Sequence, residues 1–256
     1  MEIIDGHTNL RFPGERLPDD DTLWPTFEER LAVLREAGVS RALACRNESV
    51  RGRTYDDLLI RNRQIAAACE ASEGMLIPSA IVQPALGVQA CDLLRRCREE
   101  LGMRFVGEMF DRWLGYEWGT PEYHRVLECA VSLRMVPLIH CDDSVLKELG
   151  ERHPSGKFLI AHLMDTKNGP DHRIEALRPY PNLSLVTSGH EIARAGAIRK
   201  AVRSLGADRV VFGSDLGAVD PVIAVRCVQR SGLSESEQAF VFSGNFRALW
   251  RWTESH

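Results

Sequence analysis

The sequence predicts an α/β protein folded as a (β/α)8 TIM barrel, with residues 1–256 forming one domain. Eight short apolar runs recur along the chain, and segments of helical period separate them. The runs lack the polar–apolar alternation of a half-exposed strand, so both faces are expected to be covered, as in a parallel sheet. A length of 256 residues suits eight such units, since a barrel of this kind takes roughly 250. An eight-stranded doubly wound open sheet is the alternative that the pattern alone leaves standing.

Strands are expected at Glu2–Asp5, Arg41–Cys45, Leu76–Val82, Arg104–Glu108, Pro137–His140, Phe158–His162, Leu183–Thr187 and Val210–Asp215. The helices between them announce their starts. Thr26-Phe27-Glu28-Glu29 reads as a capping box, and Phe27, Leu31 and Leu34 follow at helical spacing. Thr120-Pro121 puts a cap residue before a proline suited to the first helical position, ahead of Val126, Leu127, Ala130 and Val131. Ile198, Ala201, Val202 and Leu205 form an apolar stripe that stops at Gly206. Ser234 and Glu237 make a second capping box for the last helical segment.

A formal charge of -4 gives no electrostatic case for nucleic acid or an anionic membrane as partner. No apolar run approaches the roughly 20 residues of a membrane span, and a strand at the very start leaves no room for a signal peptide. Seven cysteines are an odd number and none forms a C-x-x-C pair, so neither a zinc knuckle nor a disulfide framework is expected. Several stand where small apolar residues belong, the usual state of free thiols in a reducing compartment, and the expectation is cytoplasmic.

In a parallel barrel the C-terminal ends of the strands open on one mouth. The expected ends place His7 and Asn9 after strand 1, Arg46 after strand 2, Glu108 on strand 4, His140 on strand 5, His162 on strand 6 and Asp215 on strand 8. Imidazoles and carboxylates gathered in this way suit zinc or a similar divalent ion, and the cation offsets the cost of crowding them out of water. Taken singly, each has a plainer reading. A histidine after an apolar run is more often a hydrogen-bonded structural residue, and Gly213-Ser214-Asp215 reads equally as a turn. Only the set on strand ends favours a site. His124, His153, His172 and His256 read as structural, whereas His190 follows strand 7 and is close enough to the mouth to touch a substrate.

These residues lie in stretches that resemble the amidohydrolase superfamily, in its amidohydrolase-related (type 2) branch. The stretches are "IIDGHTN", "VGEMF", "PLIHC", "FLIAHLM", "NLSLVTSG", "LGADRVVFGSDLG" and "GLSESEQAFVFSGNFRALW", spread over nearly the full length. Glu108 within "VGE" also looks like the strand-4 glutamate of the TatD-type branch. The resemblance implies that His7 is the first histidine of the strand-1 pair, Glu108 the strand-4 ligand, His140 and His162 the strand-5 and strand-6 ligands, and Asp215 the strand-8 aspartate. Asn9 departs from it, since an amide oxygen binds transition metals weakly beside imidazole. Glu108, His140 and His162 then hold one metal, with His7 an extra ligand or a substrate contact. Some N-acetylglucosamine-6-phosphate deacetylases, elsewhere in the superfamily, work in a similar way without the strand-1 pair.

The function expected from this resemblance is metal-dependent hydrolysis of an amide, lactone or other ester of a small molecule. About one zinc per chain, or manganese or iron in its place, activates water, and Asp215 serves as general base and acid. A metal-dependent decarboxylase of the same branch is the alternative, followed by a metal-free lactonase and a non-catalytic ligand-binding barrel suggested by Asn9. Arg46, with Arg51 and Arg53 beside it, faces a carboxylate or phosphate or is merely a solvated basic loop. Phe110, Trp113, Tyr116 and Trp118 wall a substrate pocket or cover the rim. A homo-oligomer, in which a partner subunit completes the pocket, is left open.

Overall fold

The strands follow one another around the sheet in chain order, all parallel: β1 (Ile4–Asn9), β2 (Arg41–Cys45), β3 (Leu76–Ala80), β4 (Phe105–Phe110), β5 (Val136–His140), β6 (Phe158–Ile160), β7 (Leu183–Val186) and β8 (Val210–Val211). The structure is a computed structural model that describes residues 1–15, 23–46, 48–111, 115, 117–163 and 169–255. Closure comes from backbone bonds between β1 and the chain after β8. Gly6 N–H donates to Phe212 O at 2.9 Å, Asp215 N–H to His7 O at 2.8 Å, and Asn9 N–H to Leu216 O at 3.0 Å. The predicted single-domain TIM barrel is the observed fold.

Strand ends shift by a residue or two elsewhere, but β1 and β8 differ most from expectation, each for a physical reason. β1 runs on to Asn9 instead of stopping at Asp5, because its polar second half is hydrogen-bonded at the mouth. β8 ends at Val211, where an expected strand ran on to Asp215. Beyond it Gly213 leaves the regular ladder: its N–H donates to Thr187 Oγ1 at 3.1 Å, and that hydroxyl donates back to Gly213 O at 3.2 Å.

The helices are α1 (Phe27–Glu36), α2 (Tyr55–Ala71), α3 (Val88–Glu99), α4 (Pro121–Ser132), α5 (Leu146–Arg152), α6 (Pro170–Leu177), α7 (Ala197–Leu205), α8 (Pro221–Gln229), α9 (Glu235–Ala239) and α10 (Asn245–Glu254). The expected boxes at Thr26 and Ser234 form with both of their reciprocal bonds, and Thr120 caps α4 ahead of Pro121. Gly206 ends α7 with a φ of 95°, a value that β-carbon sterics disfavour for other residues.

The apolar interior falls into two layers. Ile4, Leu43, Ile77, Phe105, Val136, Leu138, Leu159, Val186 and Val211 fill the barrel, while a larger shell packs strands against helices. α10 closes the N-terminal end. Phe246 stacks on Phe105, the first residue of β4, with centroids 4.9 Å apart, and Trp250 receives Arg41 and Arg104 over its ring. Plugging this end leaves the opposite mouth as the open one.

The cysteines need a correction. Cys91 on α3 and Cys129 on α4 form a disulfide across 38 residues, contrary to the expectation of none. The pairing follows from packing of the helices on either side of β4, which residue spacing does not reveal. The other five cysteines are free. Among the described residues, no helix is long and apolar enough to cross a membrane.

Removal of the base plug tests this account. Phe246→Ala should lower the unfolding free energy by about 3–5 kcal/mol in a urea titration. Arg247→Ala, which breaks an exposed ion pair with Glu2, should cost far less, since such pairs are weak in water. Equal costs would show that Phe246 is no plug.

Candidate metal centre

The mouth is organised from β1 outward. Asp5 is fully buried, and its Oδ1 accepts the backbone N–H of His7 at 3.1 Å and of Ser214 at 2.9 Å. One carboxylate thus ties β1 to the segment carrying Asp215. Burial pushes the Asp5 carboxyl up to about 6, against the pull of its bonds to Ser214 and His7. Gly213 lets the two segments close. A β-carbon there would lie 2.5 Å from Val186 Cγ1 and 2.9 Å from His7 Cβ.

His7 is fully buried, with Nδ1 2.9 Å from Ser188 Oγ. Its Nε2 faces Glu108 Oε2 at 3.1 Å and Asp215 Oδ1 at 3.7 Å, yet has no hydrogen-bond partner in good alignment. Glu108, on β4, receives His140 Nδ1 at 2.7 Å on Oε1, and His162 Nε2 lies 3.8 Å from that oxygen. The rings of His140 and His162 meet edge to face, with His162 Nε2 3.0 Å from His140 Nδ1. Asp215 Oδ2 stands 3.8 Å from His162 Nδ1. All five expected ligand residues therefore meet in one cluster. Within it His7, Glu108 and His162 bring one ligand atom each to within 4.8 Å of one another. His7 belongs to the centre of the group, where the sequence reading made it an extra ligand or a substrate contact, and His140, expected beside Glu108 and His162, flanks it.

The charges are strongly coupled. Burial alone would push His7 down, but the Glu108 and Asp215 carboxylates outweigh it and raise the imidazole to about 9. Burial would raise Glu108, but the facing His7, with His140, holds its carboxyl well below the usual range. Asp215 goes the other way, raised by burial and by Glu108 despite His7. Without a cation, a protonated His7 thus balances an ionised Glu108.

Three features escaped the sequence. Ser188 Oγ sits between His7 and His162, 2.9 and 3.3 Å from their Nδ1 atoms, and accepts the His162 N–H at 3.1 Å. Asp5 is the second. The third is Asn9, whose Nδ2 donates to Asp215 Oδ1 at 2.7 Å, so its carboxamide orients the aspartate. Only the motif "VTSG" after strand 7 pointed towards Ser188.

The expected substrate contacts fare unevenly. Arg46 is buried, ion-paired with Glu15 and Glu48, and lies over the Phe12 ring. His190 is exposed, just after β7. Phe110 stacks on His140 at 3.9 Å, whereas Trp118 packs edge-on against Tyr123 of α4. Trp113 and Tyr116 lie outside the described residues.

The donor set fits a divalent cation. A carboxylate and imidazoles are ordinary zinc and manganese ligands, and the buried Nε2 of His7 faces the Glu108 and Asp215 carboxylates, with one ligand atom each of His7, Glu108 and His162 close together. The sequence profile of the amidohydrolase family matches residues 4–252. The chain belongs to the amidohydrolase family. Among solved structures, the chain resembles 2,6-dihydroxybenzoate decarboxylase from Rhizobium, with a TM-score of 0.76 over 98% of each chain at 14% identity. It resembles 5-carboxyvanillate decarboxylase from Novosphingobium aromaticivorans, complexed with manganese and 4-hydroxy-3-methoxy-5-nitrobenzoic acid, with a TM-score of 0.77 over 99% of this chain and 96% of that one at 14% identity. A probable 2-pyrone-4,6-dicarboxylic acid hydrolase from Acinetobacter baumannii follows at 0.71, over 98% of this chain and 100% of that one, with 15% identity. At such identities the likeness is one of fold. Comparison with the curated proteins finds no match.

The raised His7 has a defined pH signature. A group lifted from 6.5 to about 9 adds stability that is complete below 6.5 and lost as pH rises through 9. The chelator-treated protein should therefore lose about 3 kcal/mol between those limits, by the size of the shift. His7→Gln should flatten that part of the denaturation profile. An unchanged slope in the variant would assign the pH dependence to other groups.

Proposed function

We propose that this amidohydrolase is a metal-dependent hydrolase acting on an amide, lactone or other ester carbonyl of a small molecule. The observation that carries the reading is the buried grouping of His7, Glu108 and His162, which bring one ligand atom each to within 4.8 Å of one another. Those three residues would hold one divalent cation, zinc or manganese, with His140 and Asp215 at its edge. Glu108 stands in the strand-4 place that resembles the TatD-type glutamate. A bound cation supplies a lowered water pKa and polarises a carbonyl oxygen.

Asp215 accepts the proton of the attacking water and returns it to the leaving group, a role that its raised affinity for protons favours. Asn9 fixes Oδ1 of that carboxylate through its 2.7 Å bond, which leaves Oδ2 on the side of His162. Ser188 sets the ring planes of His7 and His162 from behind.

Decarboxylation of an aromatic acid is the second reading. Two of the structures that the chain resembles are decarboxylases of hydroxylated aromatic acids, one of them with manganese. Phe110, parallel to His140 at 3.9 Å, provides a flat aromatic wall for such a ring. The strand-1 position held by Asn9 does not separate the two.

Metal analysis and product analysis test both. The purified protein should carry about one divalent ion per chain, and Glu108→Ala should lose it. A protein that takes up no zinc or manganese, and gains no thermal stability from either, would sink the metal-dependent reading. Proton release from a panel of lactones and amides supports hydrolysis, whereas carbon dioxide release from 2,6-dihydroxybenzoate supports decarboxylation. Asn9→Ala should keep its metal but lose activity by about 10-fold or more, as expected when a catalytic group loses its orienting partner. Loss of metal from that variant would make Asn9 a ligand.

A further inference from the structure

Beneath the mouth lies a buried charge that neither the proposed chemistry nor the barrel core requires. Arg173, on α6, is fully buried and is the bulkiest of the fully buried side chains. Its Nη2 donates to Cys141 O at 2.6 Å, just after β5. Its Nη1 donates to Ala161 O at 2.8 Å and more distantly to His162 O at 3.5 Å, just after β6. Asp143 supplies the counter-ion, with Oδ1 2.5 Å from Arg173 Nε, and its Oδ2 meets His172 Nδ1 at 2.6 Å. Burying a guanidinium is costly unless it is paired and bonded, and one neutral donor would satisfy one carbonyl at far lower cost. What a neutral donor cannot do is span two strand ends with one rigid planar fork.

The two ends that the fork joins are those of His140 and His162. His162 adopts a φ of 70°, unusual for a residue with a side chain. Its backbone is held from both sides, the N–H by Ser188 Oγ and the carbonyl by Arg173. His140 directly precedes Cys141, whose carbonyl takes the other arm. The 3.0 Å approach of the two imidazoles is therefore fixed through the backbone from below.

We propose that Arg173, with Asp143 as its counter-ion, is the positioning residue that sets His140 against His162. It touches no substrate and acts only through the two strand ends. Its functional weight rests on the reading of these histidines as part of the reactive mouth. The geometric claim is separately testable in metal-free protein.

The test compares Arg173→Met, Arg173→Lys and Asp143→Asn with Leu146→Ala, a core variant on α5 that serves as a stability control. Ring 15N–1H correlation spectra of the metal-free proteins are the first readout. The signals of His140 and His162 should shift or broaden in both Arg173 variants, because lysine keeps the charge but not the fork. Those of His124 and His153, paired with each other elsewhere at 3.3 Å, should stay. The control should lower the melting temperature without moving any of the four. Zinc affinity, from chelator competition, is the second readout and should fall about 10–100-fold in Arg173→Met, as for other partners that orient ligands.

A folded Arg173→Met with unchanged His140 and His162 signals overturns the proposal. If that variant fails to fold, Arg173→Lys and Asp143→Asn decide by the same signals. A wild-type protein that binds no zinc would defeat the metal-dependent reading alone, and the ring spectra would still judge the clamp.

Discussion

The mouth depends on one buried carboxylate. Glu108 is 4% exposed and ionised, and such a charge persists in a barrel only if positive charge surrounds it. Three imidazoles do so, from β1, β5 and the end of β6. His7 carries the compensating proton when no cation is present, and a cation held there would compete with that proton for the same place. The positions of the neighbours follow from this balance. Ser188 orients two of the rings, Asn9 holds Asp215, and Asp5 brings the β1 and β8 ends together.

Much of the fold was legible in the sequence because a parallel barrel writes itself as apolar runs with recognisable helix caps between them. The eight strands, the Thr26 and Ser234 boxes and the stop at Gly206 were read from such local signals. The limits appeared where tertiary bonds override local composition. Gly6-His7-Thr8-Asn9 is too polar to read as strand, yet it pairs with β2 and the β8 end because its polar groups are satisfied there. The Cys91–Cys129 bridge depends on which helices touch, and that is a property of the assembled barrel.

The candidate site divides in the same way. Histidine and carboxylate at strand ends are informative residue types, and His7, Glu108, His140, His162 and Asp215 are readable as a set from the sequence. Ser188, Asp5 and Arg173 were not, since serine, aspartate and arginine are common on surfaces and only burial marks them out. Asn9 looked like a lost ligand. In the folded chain it is a hydrogen-bond donor to Asp215, and its meaning changes with that contact.

The bond from Ser214 N–H to Asp5 Oδ1 spans 209 residues, and the bond from Asn9 to Asp215 spans 206. A chain emerging from the ribosome makes its first strand early but finds these partners only after more than 200 further residues have followed, as the separations of 209 and 206 require. Until then Asp5 and His7 lack the segment that buries and pairs them. The cluster is therefore a product of late closure, and no nascent or truncated half-barrel can assemble it.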